Sequence, residues 1–125
     1  MKILLVEDNP GDARLLQEML KEADATHHEI TWANLLDKAL KLLSEKTFDL
    51  VLLDLNLPGS IGIDTYKTVR SQAPNVPIVI LSGFDSETFA GEAVAAGAKG
   101  YLNKNKIDID LLVNTIEDVA KHKRS

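Results

Sequence analysis

The 125-residue chain contains no cysteine. Disulfide bonds and thiolate metal sites are thereby excluded, and a reducing compartment fits. Aromatic residues are scarce, at 5% with a single Trp. Trp32 has no aromatic company, so it reads as packing at a sheet edge rather than as part of a ligand site. No apolar run approaches the roughly 18 residues that span a bilayer. The opening "MKILLVED" turns acidic too soon for a signal-peptide core and lacks a small-residue cleavage site. These absences predict a soluble, cytoplasmic protein with no membrane partner. Neither a G-x-G-x-x-G nor a P-loop sequence occurs, which argues against dinucleotide or nucleoside triphosphate binding.

Positive charge is also in short supply, with 14 Lys and Arg against 19 Asp and Glu and a net charge of −5. A mildly acidic domain repels nucleic acid unless it carries a basic stripe. The one basic cluster, "KHKR" at Lys121 to Arg124, reads as a solvated helix end of the sign the helix dipole favours. No direct nucleic-acid partner is expected. His27 and His28 are neighbours at a strand entry and face opposite ways, so they do not share a metal. With His122 in the basic tail, no histidine-based catalytic pair can be argued.

What is present is an alternation of apolar runs and helical periodicities. The runs Ile3 to Val6, His28 to Ala33, Leu50 to Leu53, Ile78 to Leu81 and Lys99 to Leu102 read as five strands. Between them lie helical patterns. Asn9 is a candidate N-cap, with Pro10 at the first helical position and Asp12 three after the cap. Asn34 is expected to cap the second helix and Asp108 the last. A turn at Pro58 to Gly62 leads to a third helix through about Arg70, broken at Pro74-Asn75. Asp85 or Ser86 opens a weaker fourth helix, interrupted by Gly91. Five βα units predict an α/β fold: a (βα)5, doubly wound, five-stranded parallel sheet in one domain, residues 1–125.

The strand ends carry the chemistry. The first run meets Glu7-Asp8, the third meets Asp54, the fourth meets Ser82, and the fifth meets Asn103-Lys104. Parallel strands bring their C-terminal ends to one edge, where open α/β sheets bind ligands. Any one of these groups could mark no more than a strand-to-loop transition; four compatible ends together are the signal. Converging carboxylates repel one another unless a cation joins them. Mg2+ suits one or two carboxylates plus phosphate oxygens. A lysine and a hydroxyl facing it complete a cradle for a dianion, which points to phosphoryl chemistry with a carboxylate as nucleophile.

The segments "LLVEDNP", "LVLLDLNLPGSIGID", "PIVILSG" and "AGAKGYLNK", in that order, resemble a response-regulator receiver domain of two-component signalling, of the chemotaxis-regulator kind. The resemblance covers essentially the whole chain and implies a flavodoxin-like fold. It implies that Asp54 is the phospho-acceptor and that Lys104 pairs with the phosphoryl group. It implies that Glu7, Asp8, Asp54 and the backbone carbonyl of Asn56 hold Mg2+. Ser82 would bond a phosphoryl oxygen and move inward, Tyr101 would rotate with that movement, and Gly83 would leave room. The implied donor is a histidine kinase or phosphotransfer protein. The implied readout surface, for an output partner or a homodimer, is the face of the fourth helix, fifth strand and last helix.

One departure stands out. The family follows its lysine with a proline in a cis peptide, and here the residue is Asn105. A non-proline cis bond costs ~3–4 kcal/mol, so a trans bond or an unusual loop is expected. Phe84, two past Ser82, is expected to cover the site partly and slow water attack. Two rival readings stand beside the switch. A phosphorylation-independent binding module draws its support from Asn105. A small-molecule phosphohydrolase is disfavoured because Asn56 stands where such enzymes carry a second acid. The residues named would assist transfer to the domain itself, so no ordinary enzyme is expected.

Overall fold

The computed structural model describes residues 1–24, 28–83 and 87–124. Five strands form one parallel sheet: β1 (Lys2–Val6), β2 (Glu29–Ala33), β3 (Leu50–Asp54), β6 (Ile78–Ser82) and β7 (Gly100–Asn103). Their order is β2-β1-β3-β6-β7. Between β3 and β6, the two-residue strands β4 (Asn56–Leu57) and β5 (Ser60–Ile61) pair as a small antiparallel hairpin. The helices are α1 (Pro10–Asp24), α2 (Leu36–Glu45), α3 (Ile63–Gln72), α4 (Glu87–Ala95) and α5 (Ile109–Arg124). This is the predicted doubly wound α/β architecture.

The unbroken apolar runs follow from burial on both faces. Side chains alternate across a strand, so odd and even positions serve different cores. Leu4, Val6, Val51, Leu53 and Ile80 join Ala39, Tyr66, Val69, Ala90 and Ala93 on the α2–α4 side. Ile3, Leu5, Leu50, Leu52, Val79 and Leu81 join Leu16, Leu20, Leu112 and Ile116 on the α1–α5 side. Each fully buried Leu contributes about 1.5–3 kcal/mol relative to an exposed one. Among the described residues, no helix is long and apolar enough to cross a membrane.

Two of the expected caps are in place. Asn9 Oδ1 accepts the Asp12 N–H at 3.1 Å, and Asp108 Oδ1 accepts the Leu111 N–H at 2.8 Å. The third is not: α2 begins one residue later than Asn34 would cap, with Leu35 at the N-cap and no side-chain bond there. The hydrophobic helix start is held instead by packing of Leu36 and Leu40 on the core. β7 starts one residue later than expected, and the Pro58–Gly62 turn contains the unforeseen hairpin. Its tip carries Gly59 at φ +79°, a left-handed conformation suited to glycine. The candidate cap at Asp85 or Ser86 and the residue His27 lie outside the described residues, as do the side chains of Lys121 to Arg124.

The turn from α4 into β7 shows how the far end of the sheet is pinned. Ala98 N–H bonds Ala93 O at 2.9 Å and Gly97 N–H bonds Val94 O at 3.1 Å, a Schellman pairing with Gly97 at φ +123°. Arg70 Nη1 reaches over from α3 and donates to Ala96 O at 2.7 Å and to the buried Tyr66 hydroxyl at 2.8 Å. A Cβ on Gly97 would collide with that guanidinium. Gly97→Ala should therefore cost about 2–4 kcal/mol in urea unfolding, combining backbone strain with two lost hydrogen bonds. Gly59→Ala should cost about 1–2 kcal/mol, since nothing lies within 4 Å of its Cβ position and only the φ strain remains. Equal losses in the two variants would rule out the Arg70 clamp.

Candidate functional site

The C-terminal sheet edge gathers the acids from two strands. Glu7 follows β1 directly, with its N–H donating to Ala33 O at 3.1 Å, one step beyond the β1–β2 ladder. Trp32 Nε1 donates to the Glu7 carbonyl at 2.7 Å. The Glu7 side chain is fully buried, while Asp8 beside it is exposed. Asp54 ends the central strand β3 and is 2% exposed. Its Oδ1 accepts the Asn56 N–H at 3.0 Å, a bond fixed by the hairpin that follows.

Lys104 closes the group from the β7 side. Its N–H donates to Ser82 O at 2.7 Å, which carries the β6–β7 pairing one residue further. Its Nζ lies 3.1 Å from Glu7 Oε2 and 3.2 Å from Asp54 Oδ2. The Lys104–Asn105 peptide is trans. The Asn105 N–H, which a proline would lack, donates to Asn103 Oδ1 at 2.8 Å, and Lys106 N–H bonds Asn103 O at 3.0 Å. This local side-chain turn holds the loop and delivers Lys104 to the acids without a proline. Ser82 is buried, and its hydroxyl donates to Leu102 O at 3.5 Å, the outer limit of a hydrogen bond. Tyr101 is 51% exposed on β7. A Cβ on Gly83 would meet nothing within 4 Å, so the space there is open. Phe84 lies outside the described residues.

The electrostatics follow from burial. Desolvation pushes the Glu7 carboxyl up to about 8, helped by the Asp54 carboxylate and its hydrogen bond; the Asn9 N–H and Lys104 pull the other way. For Lys104, burial opposes the charge, but Asp54 and Glu7 outweigh it and hold the ammonium above its ordinary value. Glu7, Asp8 and Asp54 offer ligand oxygens within 4.8 Å of one another. An oxygen-only donor set carrying this much negative charge fits a hard divalent cation such as Mg2+.

Two contacts escaped sequence reasoning. Asp12, placed in the sequence only as a helix-start acid, brings Oδ2 to 3.3 Å from Lys104 Nζ. Trp32, read as edge packing, is hydrogen-bonded into the site's backbone. The position of Asp12 one turn along from the Glu7-Asp8 pair was visible; its reach to a residue 92 positions away was not.

A raised carboxyl value means that ionising Glu7 weakens the folded state. Its contribution is lost as pH climbs from its ordinary value of 4.5 through about 8. In metal-free buffer, Glu7→Gln should melt several degrees above wild type at pH 9, and the gap should shrink below pH 5. Gln can still accept the Asn9 N–H. A pH-independent gap in the melting curves would contradict the assignment.

The model for the response regulator receiver domain matches residues 3–117. Transcriptional regulatory protein ZraR of Klebsiella oxytoca is 34% identical over 122 residues, covering 98% of this chain and 27% of that protein. The cell cycle transcriptional regulator CtrA of Caulobacter vibrioides is 36% identical over 104 residues, covering 83% and 44%. Among solved structures, NtrX from Brucella abortus aligns with a TM-score of 0.85 at 27% identity, over 98% of this chain and 27% of that one. The chain thus spans 27% of the length of the first curated relatives it matches. With its sheet order and the match over residues 3–117, the chain belongs to the response regulator receiver domain family of two-component signalling.

Proposed function

We propose that the chain is a phosphorylation-dependent signalling switch in which Asp54 accepts a phosphoryl group from a histidine kinase or phosphotransfer protein. One observation carries the reading. Asp54 is a nearly buried carboxylate at the end of the central strand, with an ammonium 3.2 Å from one oxygen and two further carboxylates beside it. In the transfer, an Asp54 oxygen bonds to phosphorus as the phosphorus–nitrogen bond of the partner's phosphohistidine breaks, and the electron pair returns to the imidazole. Lys104 Nζ is within reach to follow the charge onto the phosphoryl oxygens. Glu7, Asp8 and Asp54, with the backbone carbonyl of Asn56, would hold Mg2+, which when bound offsets the negative charge that gathers during the transfer.

The Ser82 hydroxyl, weakly engaged at 3.5 Å, is free to turn toward a phosphoryl oxygen, and Tyr101 follows on the neighbouring strand. The added charge biases a pre-existing equilibrium between two arrangements. Val94 on α4, Tyr101 on β7 and Leu111 on α5 each expose a large apolar side chain. They support a readout surface there, for an output partner or a second copy. The transcriptional regulators among the relatives support an output in gene control. This acidic domain would reach it through protein contact rather than by touching nucleic acid. A single receiver domain over residues 1–125 and a cytoplasmic location belong to the same reading. The domain is the substrate of the transfer and assists its own phosphorylation and dephosphorylation, rather than acting as an ordinary enzyme.

Intact mass after incubation with acetyl phosphate tests the acceptor. One phosphoryl group should be gained in the presence of Mg2+ and not in its absence, and Asp54→Asn should gain none. No gain by wild type with either acetyl phosphate or phosphoramidate would sink the reading. Ser82→Ala should still be phosphorylated, but its Tyr101 ring resonances should stay where they are in the unmodified protein. A wild-type shift of those resonances in Ser82→Ala would remove Ser82 as the link.

A further inference from the structure

The Lys104 ammonium touches three carboxylates, and they are not equivalent. Glu7 Oε2 at 3.1 Å and Asp54 Oδ2 at 3.2 Å are almost sealed from water, with side chains 0% and 3% exposed. Asp12 Oδ2 at 3.3 Å belongs to a side chain that is 40% exposed. Lys104 itself is 20% exposed. The ammonium therefore lies between a floor of two buried acids and a rim acid in contact with solvent.

Asp12 is held at that rim. It is the third residue of α1, after Pro10 has set the first helical position, and its N–H is capped by Asn9 Oδ1 at 3.1 Å. Helix starts favour acids, which accounts for a carboxylate at this position. The dipole does not account for a second chain segment meeting it at ion-pair distance. Of the acids on α1 near its start, this is the one aimed at the site; Glu18, a turn and a half further on, pairs instead with Arg14 at 3.1 Å.

We propose that Asp12 is a positioning residue that holds Lys104 at the rim of the unphosphorylated site and weakens binding of the phosphoryl donor. The inference rests on the reading of Asp54 as the acceptor. A donor brings a phosphoryl dianion toward Asp54. Lys104 is the only cation that the described residues place at ion-pair distance from that carboxylate. To meet the phosphoryl oxygens, the ammonium must loosen its grip on at least one acid. The rim acid is the one that water can satisfy when it lets go. Until then, Asp12 adds negative charge on the donor's approach and occupies part of the cation's donor capacity. Because Asp12 is partly solvated, the effect is moderate, roughly a three- to tenfold change in donor affinity.

The test uses the full chain with saturating Mg2+ and acetyl phosphate as donor, reading the half-saturating donor concentration and the maximal rate separately. Asp12→Asn keeps the N–H that Asn9 caps. It should lower the half-saturating concentration roughly three- to tenfold, leave the maximal rate within about twofold, and lose most of this difference in molar salt. Asp12→Glu should stay near wild type. Glu18→Gln removes the same charge from the same helix and should change nothing. An Asp12→Asn variant that matches wild type, is slower, or differs equally at all salt concentrations overturns the inference while leaving the acceptor reading intact. A wild-type protein that gains no phosphoryl group fails both.

Discussion

A single ammonium set among buried carboxylates is the contact on which the rest of this molecule's active edge depends. Glu7 and Asp54 are placed by strands that end at the same level of one parallel sheet, so their burial is a consequence of topology rather than of local preference. Two ionised acids so close and so dry would favour taking up a proton. Lys104 counters that tendency from a third strand, and it does so only because β7 pairs with β6 up to Asn103 and the next N–H continues the ladder to Ser82. Sheet register thus sets the electrostatics: sliding β7 by one residue would turn Lys104 to the other face and leave the acids without their cation.

The hydrophobic layers serve the same end. Alternate residues of β1, β3 and β6 enter different cores, and each core is completed by helices on its own side. The sheet cannot slip without exposing both. That rigidity holds carboxylates contributed by separate strands close enough for one cation. Next to this fixed frame, the buried Ser82 hydroxyl on β6 is held at the limit of bonding and Tyr101 on β7 is half-exposed.

Much of this was legible in the residues. Unbroken apolar runs bounded by turn signals marked the strands, and the Asn9-Pro10 and Asp108 caps marked the starts of α1 and α5 to the residue. The polar groups after four of the five runs pointed to the candidate site, because parallel strands share an edge. What stayed hidden depended on contacts between distant segments or on competing local bonds. Asn34 looked like a cap by composition, yet packing of Leu36 and Leu40 sets where α2 begins. Asn105 looked like a threat to Lys104, but an asparagine two residues earlier supplies the turn that a proline would otherwise impose. Asp12 and Trp32 had adequate explanations of their own, which concealed their second partners.

The Trp32 bond has an optical consequence. The chain has one tryptophan, and its indole N–H is tied to the carbonyl of Glu7 at 2.7 Å while the ring is 40% exposed at the sheet edge. Indole emission from this protein therefore originates at one place, one hydrogen bond from the backbone of the acid cluster. A shift of the Glu7 backbone would alter the hydrogen bond at the indole's polar end, so the one tryptophan is placed to report optically on the position of that backbone.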